Sequence, residues 1–146
     1  MQETPLQILE VRAAEGERPV TITTAVAAEA SRAICTALSE QLDRRRQEPT
    51  TSVEDVLLLR EHAALVERFE PLVAADGHAV FPFSDSELRT CLLELTDYAD
   101  RVDGEHFQPL ELRERLATIA QIIPVLWDAN AAAAAAHGDA LPDPVS

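Results

Sequence analysis

The chain is 146 residues long with a formal net charge of −14, and 47% of its residues are hydrophobic but only 4% aromatic. That length suits one domain burying about two-thirds of its unfolded surface, and the hydrophobic fraction excludes wholesale disorder. All twelve basic residues are arginine, which excludes Schiff-base and phosphate-loop lysines, while the acidic balance argues against direct nucleic-acid binding and leaves a basic protein partner open.

Residues 1–23 differ in character from the rest of the chain. Leu6 to Arg12 and Pro19 to Thr23 lean toward β structure around a turn containing Gly16, which predicts an N-terminal β-hairpin. A short helix over 6–14 is the competing reading. A lone hairpin is marginal in water, so this one must lie against the helices or pair with another chain.

Helical spacing dominates from residue 24 onward. The first helix is predicted over 24–46, with Val26, Ala30, Ala33, Ile34, Ala37 and Leu38 on one face and Cys35 off that stripe toward solvent. Arg44, Arg45 and Arg46 complement the negative end of its dipole. The second opens at Thr51-Ser52-Val53-Glu54, which has capping-box spacing, and runs to Gly77. Its apolar face spans Val56, Leu58, Leu59, Leu65, Val66, Phe69 and Val73, and Pro71 is expected to kink its last turn or start a separate one. In the apolar connector over 78–83, which has room for a short strand, Phe81 and Phe83 are expected to plug the end of the core.

A second capping box, Ser84-Asp85-Ser86-Glu87, opens the third helix, which carries Leu88, Cys91, Leu92, Leu95, Tyr98, Ala99 and Val102 and ends at Gly104. The fourth starts at Pro109, where a missing N–H costs nothing, and runs through the alanine-rich stretch to Gly138. Leu112, Leu116, Ile119, Ala120, Ile123, Leu126 and Trp127 recur along it, and Pro124 is expected to bend it. Residues 139–146 form a predicted disordered tail. No stretch resembles a signal peptide or approaches a membrane span. Cys35 and Cys91 lack CxxC spacing, consistent with reduced thiols in the cytoplasm.

Catalytic chemistry finds no motif. A di-metal carboxylate bundle needs Glu-x-x-His pairs, and only His106 has an acid three residues before it, Asp103, with Gly104 between them. Neither a metal nor another cofactor is expected. His62 lies on an apolar face, where the simplest role is a buried imidazole bonded to a neighbour. Carbonyls freed by Pro124 beside Trp127 and Asn130 suggest, with His62, a small-molecule pocket. Leu93 and Val125 stand off their helices' apolar stripes and suggest a partner surface.

These observations predict a mainly α protein: an antiparallel four-helix bundle over 24–138 with a short N-terminal β-hairpin. The leading expected function is non-catalytic and acidic, acting through protein contacts as a homodimer, with a basic protein as a further partner and neither nucleic acid nor membrane contacted directly. The alternatives are a ligand-binding or enzymatic bundle with the His62, Pro124, Trp127 and Asn130 pocket, and an acidic DNA mimic whose charged face spans 54–103.

Overall fold

A computed structural model describes residues 5–13, 20–75, 77–104 and 108–138. The protein is mainly helical, with a short antiparallel sheet, in the order β1 (Leu6–Arg12), β2 (Thr21–Val26), α1 (Ala28–Gln47), α2 (Val53–Ala74), β3 (Ala79–Ser84), α3 (Asp85–Asp103) and α4 (Leu110–Gly138). The Gly16 turn, His106 and the predicted tail at 139–146 lie outside the described residues.

The sheet has the order β1-β2-β3, both pairings antiparallel. It therefore extends the predicted hairpin by one strand, and it removes the alternative of a helix over 6–14. Every second residue of β2, namely Ile22, Thr24 and Val26, is buried against the helices, the two-residue period of a half-buried strand. A register shift between Ile8 and Glu10 leaves Leu9 as an extra, exposed residue, as a bulge does.

Two of the predicted boundaries move. Residues 24–26 belong to β2 and not to the first helix, which starts at Ala28, so the β segment passes residue 23. Tertiary pairing overrides helix propensity here: Thr24 Oγ1 donates to the Phe81 carbonyl at 2.8 Å and the Ala27 N–H donates to the Pro5 carbonyl at 2.9 Å. α2 ends at Ala74, short of Gly77, and runs through Pro71 without a break. Gly77 adopts φ +125°, a conformation L side chains avoid, as the chain turns toward β3.

Of the two predicted capping boxes, the one at Ser84 forms as expected, whereas α2 is capped one residue later than the Thr51–Glu54 spacing implies. The Ser52 hydroxyl accepts from the Asp55 N–H, and at Ser84 the full reciprocal box with Glu87 forms. The core lies between the sheet and the helices, and α1 packs against α2, α3 and α4. Phe69, Phe81 and Phe83 cluster within it, Phe69 stacked on Phe81 at 4.2 Å between centroids, so the two connector phenylalanines are buried in the core as expected.

Side-chain placement departs from expectation on three helices. Cys35 is buried, because Ser31, Cys35, Leu38 and Leu42 line one buried row of α1. Val56 and Leu58 are exposed, since the first turns of α2 project beyond the core that receives Leu65, Val66 and Phe69. On α4 the buried row is Ile119, Ile122, Leu126, Ala129 and Ala133, which turns Ala120 and Trp127 outward. Leu110–Ala136 is also long and apolar enough to cross a membrane by length and composition, contrary to the expectation that no stretch approaches this.

Replacing Phe69 by Ala should remove the centre of the aromatic cluster at a cost of about 3–5 kcal/mol. Urea denaturation would show this as a lowered midpoint at unchanged slope.

Candidate functional site

Where α1 ends and α2 begins, a cleft of about 490 Å³ opens toward α3. Its floor is polar and buried, with His62 3% and Glu94 7% exposed, whereas Leu93 at its rim is 63% exposed. Leu58, Leu59 and Pro49 supply further apolar wall.

Glu94 organises the floor. Arg45 Nη2 and Nε donate to its Oε1 at 2.8 and 3.2 Å, and Nε also lies 3.3 Å from Oε2. The Glu94 carboxylate raises the Arg45 pKa through hydrogen bonding, against the opposing effect of burial. On its other side His62 Nδ1 lies 3.5 Å from Glu94 Oε2, while His62 Nε2 lies 2.8 Å from the Leu38 carbonyl. A carbonyl only accepts, so Nε2 carries a proton. The structure thus gives His62 the satisfied, buried role that its apolar surroundings suggest.

The network continues beyond the cleft. Asp97 Oδ2 accepts from Gln41 Nε2 at 2.8 Å and lies 3.5 Å from Arg45, and Gln41 Oε1 accepts from Arg101 Nη2 at 3.0 Å. Sequence reasoning missed Arg45, Glu94 and Gln41. A signal existed for two of them: Glu94 is three residues from Cys91 and four from Tyr98, and Gln41 is three from Leu38, so both fall inside buried rows.

The predicted pocket residues do not converge. Pro124 and Trp127 are exposed on α4, Asn130 is half-buried there, and none lines the cleft that holds His62. Leu93 forms part of the cleft rim, whereas Val125 is half-buried against the core.

The outer face of α4 is a second feature of note. Ala117, Ala120, Pro124, Trp127, Ala131 and Ala134 are all exposed and recur at alternating three- and four-residue steps, the spacing of a helix-pairing seam. From Leu116 to Ala136 the only charged residue is Asp128. Pro124 has no N–H, so the Ala120 carbonyl lacks its intrahelical donor.

Neither thiol is set up as a nucleophile. Burial raises the pKa of Cys91 strongly, and burial likewise dominates the rise at Cys35, with Glu70 adding to it and Ser39 opposing it. Among the described residues no group of three or more His, Cys, Asp or Glu side chains could hold a metal ion. No protein family, curated protein or solved structure matches the chain.

This geometry has two measurable consequences. Glu94→Ala removes the principal acceptor of Arg45, leaving only the longer contacts to Asp97 and Glu48, and should cost about 1–3 kcal/mol, with Glu94→Gln costing less, in denaturant titrations. Because both thiols favour the protonated form, an aromatic disulfide reagent should label neither at pH 7 in the folded protein, and both rapidly in denaturant.

Proposed function

We propose that the protein is non-catalytic and acts through protein contacts, with two copies pairing through the outer face of α4. The observation that carries this is an exposed Trp127, 51% accessible, on the one long helical face nearly free of charge among the described residues. A chain of net charge −14 repels its own copy over most of its surface, so self-association favours the face where like charges do not meet.

That face is complementary to itself in an antiparallel pair centred on Pro124. In that register Trp127 meets Ala120 of the second copy, a large side chain over a small one. The indole N–H then reaches the Ala120 carbonyl that Pro124 leaves without a donor. Asp128 meets Gln121 on the same flank, an acceptor opposite a donor, and Ala117 meets Ala131. Small residues let the two helices approach closely. The seam from Ala117 to Ala131 is roughly 21 Å long, which puts the buried area at or below the small end of stable interfaces, about 1,200 Å² in total. The dimer is therefore concentration-dependent.

In this reading the four helices form an antiparallel bundle in a cytoplasmic protein, and the acidic surface left open steers a basic partner. The DNA-mimic alternative is weaker, since within 54–103 Glu61, Glu87, Glu94 and Asp97 already bind internal partners. A small-molecule site in the His62 cleft is a second reading. Its volume favours it, falling within the range of about 300–1,000 Å³ typical of ligand pockets. Fragment screening that follows the His62 ring signals by NMR separates the two.

Sedimentation across a concentration series should show a monomer–dimer equilibrium, with Trp127 emission shifting to the blue as dimer forms. Trp127→Glu should abolish pairing. Pro124→Ala returns a donor to the Ala120 carbonyl and should stabilise the monomer while weakening the dimer several-fold. A monomer at all concentrations with invariant Trp127 emission would refute the proposal.

A further inference from the structure

A second cleft, of about 360 Å³, lies where α1, the end of α3 and the start of α4 meet. Arg44, Arg101 and Arg115 line it, one from each helix, together with the buried Tyr98. Among the described residues two carboxylates, Glu40 and Glu111, share the lining, so arginines outnumber acids there in a chain of net charge −14.

These guanidinium groups have donors to spare. Arg115 Nη1 donates to the Tyr98 hydroxyl at 3.0 Å, and Arg101 Nη2 to Gln41 Oε1 at 3.0 Å. Arg101 is held over the Tyr98 ring at 5.5 Å, and its buried Nε has no partner among the described residues. Arg44 makes a half-exposed contact of 3.6 Å with Asp97. Among the described residues each group thus engages a minority of its N–H donors. Glu40 is itself engaged by the Tyr98 hydroxyl. The first turn of α4, through Pro109, Glu111 and Leu112, also borders the cleft and brings the positive end of a helix dipole to it.

We propose that this cleft binds a small oxyanion, a phosphate or carboxylate group, held by Arg44, Arg101 and Arg115, with Val102 and Leu112 covering an apolar portion of the ligand. Planar guanidinium forks match the paired oxygens of both groups. An anion there also supplies acceptors to guanidinium N–H groups of Arg44, Arg101 and Arg115 that have no partner among the described residues.

The test is an NMR titration of the full chain with inorganic phosphate and, in parallel, with succinate, following the arginine Nε–H signals. Saturable shifts confined to Arg44, Arg101 and Arg115 are expected, and the tighter probe identifies which oxyanion is preferred. Arg115→Gln and Arg44→Gln should each weaken binding about ten-fold or more. Arg44 is the more exposed, so its variant serves if Arg115→Gln fails to fold. Arg32→Gln, on the exposed side of α1, should change nothing. Shifts that never saturate, that spread over all exposed arginines, or that fall equally in Arg32→Gln would overturn the site.

Discussion

One buried carboxylate sets the arrangement of the helices. Removing Glu94 from water carries a penalty of several kcal/mol, and the structure offsets it with an Arg45 fork from α1, while the His62 ring from α2 packs 3.5 Å from the same carboxylate. His62 in turn bonds back to the Leu38 carbonyl in the middle of α1. Apolar packing alone tolerates sliding of one helix past another, because Leu, Ile and Ala contacts are non-directional. Sliding α3 by one turn would strand a charge, so the network fixes register where the core cannot.

Both clefts are consequences of that register. The polar seam between α1 and α3 runs from His62 through Glu94, Arg45, Asp97 and Gln41 to Arg101. The His62 cleft opens at one end, where the first turns of α2 splay from α3, and the arginine cleft at the other, where α4 begins. Polar side chains that tie two helices together face solvent at the seam's ends, and there they are available to something else.

The helices were legible because local chemistry marks their ends: Ser84 carries a capping pattern and the Thr51-Ser52 pair falls within one residue of the true cap of α2, while Pro109 and Gly104 punctuate the start of α4 and the end of α3. The sheet was half-legible. Residues 6–12 and 21–23 announce strands and 78–83 leave room for one, but the extension to Val26 depends on pairing with β3, a contact more than fifty residues away that no local preference encodes. Trp127 shows a different limit. Apolar recurrence every three or four residues admits two rows on α4, and the alanines in both rows do not choose between them. Ile122 belongs to the row that faces the core, and the choice was made by packing against α1 and β1. Glu94 and Gln41 were overlooked because an apolar-stripe search discards polar residues, including the ones that the stripe buries.

Charge is distributed in a way that the total conceals. Arg45 and Arg68 are spent on internal carboxylates, Glu94 and Glu87, and this leaves the acids elsewhere to dominate the exterior. Against that exterior stand two exceptions, the nearly uncharged outer face of α4 and the arginine-lined cleft at its start. Among the described residues they are the places where the general repulsion of −14 would be weakest for the second copy and the small anion proposed above. An acidic protein discourages most contacts of both kinds, so a surface that locally reverses the rule is selective by construction: long-range repulsion disfavours every approach except the one that ends on matched groups.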